Sequence, residues 1–484
     1  MKKTTTNSVG KNIAYQMAYR VITILTPLIT SPILSRALGA ERLGTYSATL
    51  TFANYFVLFS MLGVENYGNR SIAAVQDDAE KRRAMFWSIY AVQLAACVVS
   101  IAAYLFALRF VDSARNTISL LQGIWLISSL LNVNWYFFGT ERFRLTVVRS
   151  IVVKFLAVLA IAFFVRRPED LNLYAFIMSA DAVLSCAILW PFLIRELGFS
   201  RPSRDSIRKH VRPVFVLFIP FLASTVFHVM DKSMLDMLST ESELGYYYSA
   251  DKLANIPLMA ITAVSTVMLP RISNLYSSRQ KDELEKLLKR SFELTVFLTC
   301  SIAVGIAAIA KEFIPFFFGP GFDPCILLVY WFTFVLFAKA FGDFIRMQYL
   351  IPARRDRLYT IAICAGAGLN LLLNLLLIPG HGALGAVWAT LAAELAVTIL
   401  QAFFIRDQVP FVRFLAANSP YLCFSAVMLV VVRFTAKHLA APVWLKLICM
   451  ICAGGLAYLA CCLPYWKMNK NSAFHELSVF RKNI

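Results

Sequence analysis

Ten ionisable side chains lie inside long apolar stretches of this sequence: Arg20, Lys154, Asp181, Asp231, Lys232, Asp251, Lys252, Lys339, Asp343 and Glu394. A charge at the centre of a bilayer costs about 3 kcal/mol on insertion scales, so such residues face a bundle interior or a wet cavity. Ten of them spread over several helices exceed what helix packing alone needs. The cations Arg20, Lys154, Lys232, Lys252 and Lys339 suit an anionic substrate such as a diphosphate. The carboxylates Asp181, Asp231, Asp251, Asp343 and Glu394 suit the binding of protons or Na⁺ and are the candidates for ion coupling. Lys232 with Asp236, and Lys339 with Asp343, stand at i,i+4 and are expected to pair along their own helices.

Motifs of soluble enzymes are missing. The sequence holds no G-x-x-x-x-G-K-[ST] to cradle a nucleotide phosphate, no H-E-x-x-H and no G-x-S-x-G. Cys449 and Cys452 form a CxxC, but the surrounding run is apolar and no histidine is near, so neither a metal nor a cofactor is expected. The other cysteines sit in apolar stretches and read as small buried hydrophobes. His228 reads as a satisfied interior histidine, and Asn370 and Asn374, one turn apart, as hydrogen-bonding glue between helices.

The elements that must position these groups follow from composition. The chain has 484 residues, 59% hydrophobic and 15% charged. Soluble domains run near 45–50% apolar and about 25% charged, so the bilayer is the expected solvent. Apolar runs long enough to span fall at about 13–34, 43–64, 84–108, 117–138, 146–165, 172–194, 213–238, 244–269, 291–310, 325–350, 358–378, 382–405, 414–434 and 442–465. The expected fold is therefore all-α, a polytopic membrane protein of about fourteen transmembrane helices. Two pseudo-symmetric six-helix lobes, 1–200 and 201–408, would precede a C-terminal helix pair and tail, 409–484. Leu43-Gly44-x-Tyr46 and Leu244-Gly245-x-Tyr247 support the internal repeat, as do Arg142-x-Arg144-Leu145 and Arg355-x-Arg357-Leu358. Pro27, Pro32, Pro220 and Pro257 would kink their helices.

The net charge of +19 could suggest nucleic acid, but the basic residues are scattered in short patches between apolar runs. Alternate connecting segments hold 32 and 9 Lys plus Arg, an asymmetry that places both termini in the cytoplasm. No nucleic-acid partner is expected. The outer loops are short, which disfavours a membrane glycan polymerase or ligase with a catalytic outer loop.

Leu38-Gly39, Gly44-x-Tyr46, Gly63 and Tyr67-Gly68-x-Arg70 in the first half carry a resemblance. So do Asp231-Lys232, Gly245, Tyr248, Ala250, Asn370-x-x-x-Asn374, Pro379, Gly382 and Gly385-Ala386 in the second. With this order and spacing the chain resembles the polysaccharide exporters of the multidrug/oligosaccharidyl-lipid/polysaccharide superfamily, and among them the Wzx-type flippases of bacterial O-antigen and capsule repeat units. The resemblance implies a flippase in the bacterial inner membrane. It would move undecaprenyl-diphosphate-linked oligosaccharides by alternating access, coupled to an H⁺ or Na⁺ gradient, with Asp231 and Lys232 as carried-over site residues. Membrane lipids, a polysaccharide polymerase and a chain-length regulator are the implied partners. A multidrug or cation antiporter of the same superfamily is the alternative, and it would favour cavity carboxylates over cations.

Reporter fusions test the topology. Alkaline phosphatase joined at Arg167 should be active, and at Arg279 inactive. The opposite pattern would reverse the orientation.

Overall fold

The computed structural model describes residues 6–469 and Phe474. The side chains of residues 6–20, 219–221, 223, 224 and 228 are outside that description, and with them those of Arg20, Pro220 and His228. The described residues form helices and no strand. In the first half these are α1 (Thr6–Met61), α2 (Val64–Ala74), α3 (Ala79–Ala107), α4 (Ser113–Leu131), α5 (Asn134–Gly139), α6 (Phe143–Phe164), α7 (Leu171–Ala187), α8 (Trp190–Leu197) and α9 (Arg204–Leu238). The second half adds α10 (Glu241–Ser277), α11 (Lys281–Phe318), α12 (Pro324–Ile345), α13 (Asp356–Ile405), α14 (Phe411–Ala417), α15 (Pro420–His438) and α16 (Val443–Met468).

Eleven helical segments among the described residues are long and apolar enough to cross a membrane. Two of them are far too long to cross straight. At 1.5 Å per residue, the 56 residues of α1 and the 50 of α13 would each run more than twice the roughly 30 Å of a hydrocarbon core. Each is broken by a glycine with positive φ: Gly39 (φ 71°) and Gly382 (φ 52°). The spans expected at 13–34 and 43–64 thus occupy the two arms of α1, and those at 358–378 and 382–405 the two arms of α13. A side chain is strained at either glycine, but the two breaks differ. A Cβ on Gly39 would meet nothing within 4 Å, whereas one on Gly382 would stand 2.5 Å from the Glu243 carboxylate. That carboxylate accepts a hydrogen bond of 2.7 Å from the Ala383 N–H, a donor at the start of the second arm.

Large apolar side chains face outward. Phe155, Phe163, Phe164, Leu376, Ile399, Val430 and Leu456 are each more than half exposed. In water such a surface would drive aggregation; against lipid tails it is the complementary face.

The chain groups into two compact units, Met1–Asp236 and Met237–Ile484. The aromatic core of the first unit joins Phe86, Trp87, Tyr90, Trp135, Tyr136 and Phe137 to Leu189, Leu193 and Val214. In the second, α15 and α16 pack on α11 around Phe292, Tyr421, Tyr458 and Trp466. The boundary after Asp236 leaves α9 with the first unit, where a division at 200/201 would assign it to the second half. Polar contacts explain this grouping. The Tyr55 and Ser233 hydroxyls are 2.8 Å apart, Tyr67 Oη lies 2.8 Å from His210 Nδ1, and Ser88 meets Ser206 at 2.7 Å.

Both Gly39→Ala and Gly382→Ala should lower the detergent melting temperature, each by the ~1–3 kcal/mol of a side chain held in a glycine-only conformation. Gly382→Ala should cost more, because it also displaces the Glu243 carboxylate. Equal melting temperatures for the two variants would remove the capping role of Glu243.

Candidate functional site: a polar cavity in the first unit

The fourth expected span, 117–138, is not one helix. It stops at Leu131, passes through Asn132 in an extended conformation, and restarts as α5 at Asn134. Each carbonyl freed by such a break would cost about 1–3 kcal/mol if left unpaired, and more against hydrocarbon. Here side chains from α3 and α8 take them. Gln93 donates to the Ser129 and Asn132 carbonyls at 2.7 and 2.9 Å, Tyr90 Oη to Leu130 O at 3.1 Å, and Trp190 Nε1 to Leu131 O at 3.0 Å. The Gln93 oxygen in turn accepts from Trp135 Nε1 at 3.0 Å. Asn132 Oδ1 accepts the Asn134 N–H at 3.1 Å, which starts the next turn. The close approach of α2 that backs this turn requires Gly68, since a Cβ there would lie 2.4 Å from the Trp135 ring.

Irregular backbone at membrane depth is tolerated where it is buried or lines a cavity. This break lines one of about 420 Å³, walled by Tyr46 of α1, Gln122, Trp125 and Ser128 of α4, Asn132 at the break, Asn134 of α5, Arg149, Ser150 and Lys154 of α6, and Ser179, Asp181 and Ser185 of α7. Lys154 Nζ stands 3.9 Å from Asp181 Oδ2. At the limit of an ion pair this is a loose contact, and the lysine is the more open member, 26% exposed against 10% for the aspartate. Arg149 is held more firmly. Its Nη1 donates to the Ser185 carbonyl, and its Nη2 to Asn134 Oδ1 at 3.2 Å and to Ser150 Oγ at 3.0 Å. Asn134 donates to Asn132 Oδ1 at 2.9 Å, and Asn132 donates to Glu65 Oε1 at 3.1 Å. A continuous polar thread therefore runs from Arg149 on α6 to Glu65 on α2. Two buried acceptors of the lining, Gln122 Oε1 and Asp181 Oδ1, make no hydrogen bond within the protein, so the cavity is built for polar contents.

The second unit holds a counterpart pair. Lys339 Nζ on α12 lies 3.9 Å from Glu394 Oε1 on α13. Beside it a narrow cleft brings in Asp251 and Asn255 of α10, with Asn255 Nδ2 donating to Asp251 Oδ1 at 2.8 Å. Lys252 sits over the Tyr248 ring, 5.5 Å from its centroid.

Both expected i,i+4 pairings are replaced. Asp343 accepts from Arg346 at 2.5 Å, three residues on, while Lys339 turns to Glu394. Asp236 accepts from Arg115 Nη1 at 2.7 Å, across to α4, and not from Lys232. In each case a guanidinium, with its fixed fork of donors and weaker hydration, takes the carboxylate that spacing assigned to a lysine. Asp231 is buried, and both it and Lys232 are engaged in interactions of their own. Asn374 Nδ2 donates to Asn370 Oδ1 at 3.2 Å along their own helix.

Sequence reasoning missed Arg149, Glu65 and Glu293. Arg149 and Glu65 each lie within a few residues of an expected span boundary, where topology-setting charges collect. The signal that could have found them is Asn132-x-Asn134 inside an apolar run, a pair of amides that requires donors and acceptors nearby. Glu293 is buried on α11 and accepts from Tyr421 Oη at 2.8 Å, which accepts from Trp466 Nε1 at 2.8 Å. It thereby ties α15 and α16 to α11.

A family profile described as polysaccharide biosynthesis protein matches residues 9–276. A protein of Escherichia coli (strain K12) named for O-antigen transport is 23% identical over 83% of this chain and 97% of its own length. The capsular polysaccharide biosynthesis protein CapF of Staphylococcus aureus is 20% identical over 82% and 99%. Among solved structures, lipid II flippase MurJ in an inward closed conformation superposes with a TM-score of 0.73 at 16% identity, covering 94% of this chain and 98% of that one. The fold is shared with that structure, and by its profile match the chain belongs to the polysaccharide biosynthesis protein family.

Proposed function

We propose that this protein is a flippase for lipid-linked glycan units in the bacterial inner membrane. The observation that carries this reading is the content of the cavity in the first unit. Arg149 and Lys154 face one carboxylate, Asp181, among neutral amides, hydroxyls and the Trp125 ring. An excess of cations suits a diphosphate. The amides and hydroxyls suit sugar hydroxyls, and the aromatic face suits a sugar ring. The names of the relatives, which point to O-antigen transport and capsular polysaccharide synthesis, support the same substrate class.

In this reading both termini are cytoplasmic, and the unit moves from the inner to the outer leaflet by alternating access driven by an H⁺ or Na⁺ gradient. Asp231 and Lys232, carried over by the resemblance, and Arg20, Lys252 and Lys339 are further candidate site residues in this reading. A polysaccharide polymerase and a chain-length regulator would act on the delivered units. A cation antiporter fits the cavity less well, since its lining would repel a cation by one net charge.

Deleting the gene should abolish the surface glycan and leave lipid-linked units on the inner leaflet. In that strain, Lys154→Ala should restore tenfold to a hundredfold less glycan than the wild-type gene at equal protein level. This is the loss expected from one charge-assisted contact of about 1.5–3 kcal/mol. Lys339→Ala should act in the same direction. Full restoration by both variants would remove these lysines from the site, and a deletion strain with unchanged glycan and no paralogue would overturn the function.

A further inference from the structure

The first turns of α9 carry charges for which the protein supplies no partner. Arg204, Arg208 and Arg212 recur at i, i+4 and i+8, and at 100° per residue they fall within about 80° of one another on one face of the helix. All three are exposed, as are Arg201 and Lys209 beside them. The opposite face is fixed to the first unit. Val214 is fully buried in its aromatic core and Ile207 packs against the same core, while His210 Nδ1 lies 2.8 Å from Tyr67 Oη and Ser206 meets Ser88 at 2.7 Å. Packing thus holds the arginine stripe outward.

Neighbouring arginines are engaged by the protein. Arg82 and Arg142 share the Glu196 carboxylate at 3.3 and 2.7 Å, and Arg83 donates to the Phe199 carbonyl. Among the described residues none pairs with Arg201, Arg204, Arg208, Lys209 or Arg212, and Asp205 is the one acidic residue between 199 and 212. Arg204 does nothing for the helix either: the dipole favours anions in a first turn, and Ser203 Oγ already accepts the Ser206 N–H at 3.2 Å. The stripe runs into an apolar surface that faces outward, where Phe215 and Val216 are 48% and 58% exposed. At 1.5 Å per residue Arg212 and Arg208 stand about 5 and 10 Å along the helix from Phe215. The headgroup layer flanking a hydrocarbon core is about 5–8 Å thick, and the long arginine stem spans the remainder. Free guanidiniums at that depth meet phosphate oxygens, which accept their paired N–H donors.

We propose that Arg204, Arg208 and Arg212 bind the phosphodiester headgroups of anionic phospholipids and seat this end of α9 at the membrane interface. Five cations against the one carboxylate of Asp205 favour a headgroup with net negative charge over a zwitterionic one, whose own ammonium already faces its phosphate. The occupant is a phospholipid of the surrounding leaflet because the stripe continues into the outward apolar face of the helix, and none of these residues lines the polar cavity between α4, α6 and α7. The site is independent of what the protein transports and requires only a bilayer around its helices.

The test titrates dioleoylphosphatidylglycerol into the purified full-length protein in detergent and counts bound lipids by native mass spectrometry, with dioleoylphosphatidylcholine as the neutral control. The wild type should bind the glycerol lipid more tightly than the choline lipid, and added salt should narrow the difference. Replacing Arg204, Arg208 and Arg212 together by Ala should weaken the tightest phosphatidylglycerol binding by roughly a hundredfold, about fivefold per arginine, with choline-lipid binding unchanged. The triple Lys variant should keep most of the affinity, since the charge remains. The single variant Arg208→Ala, with an expected loss of about fivefold, reads the same effect should the triple Ala variant lose thermal stability. Equal binding of the two lipids by the wild type overturns the proposal. So does wild-type phosphatidylglycerol affinity in the Ala variants. Displacement of the bound phosphatidylglycerol by equimolar farnesyl diphosphate would assign the stripe to the transported diphosphate and overturn the phospholipid assignment.

Discussion

Inside a bilayer no water is on hand to pair a broken backbone or solvate a charge, and the structure is organised by that constraint. The clearest case is the interruption of the fourth span at Asn132. The helix can stop there because Gln93, Tyr90 and Trp190 reach its last carbonyls, and because Asn132 itself begins the next turn. Once broken, the backbone turns two asparagine amides toward α6 and α2, and these amides connect Arg149 with Glu65. The cavity is thus a consequence of a helix break that its neighbours make affordable. The breaks in α1 and α13 obey the same rule with glycine supplying the turn, and at Gly382 a carboxylate pairs the adjacent N–H.

The constraint also sorts the ion pairs. Two lysine–carboxylate pairs within apolar stretches, Lys154–Asp181 and Lys339–Glu394, are long, at 3.9 Å, while the arginine pairs at Asp236, Asp343 and Glu312 close to 2.5–2.8 Å. A tight guanidinium contact holds its carboxylate in place. A loose contact beside a cavity leaves the ammonium able to meet another anion. Among these five pairs the tight arginine contacts and the loose lysine contacts separate by distance. Arg149 falls between the two, anchored by a carbonyl and an amide yet lining the cavity.

Much of the architecture is legible in the sequence, since a twenty-residue apolar window is a direct image of bilayer thickness. Gly39 and Gly382 each mark a break between adjacent spans. The site was harder to read. Lys154, Asp181, Lys339 and Glu394 stand out as charges in apolar runs, but their partners lie across helices, and spacing along a single helix pointed instead to Asp236 and Asp343. Arg149 and Glu65 were hidden because position near a span end is also where topology-setting charges collect. The break at Asn132 carries neither proline nor glycine, so only the environment supplied by Gln93 and Trp190 explains it.

The central claim, that the cavity of the first unit receives the diphosphate of a lipid-linked glycan, is tested most directly by photo-crosslinking. A polyprenyl diphosphate analogue with a photoreactive group at the first sugar would be irradiated on the full-length protein in nanodiscs and the adducts mapped by mass spectrometry. The account predicts adducts on the cavity walls, within residues 122–134, 149–154 and 178–186, lost on competition with unlabelled lipid diphosphate. Competable adducts confined to α15 and α16, with none on α4, α6 or α7, would contradict it.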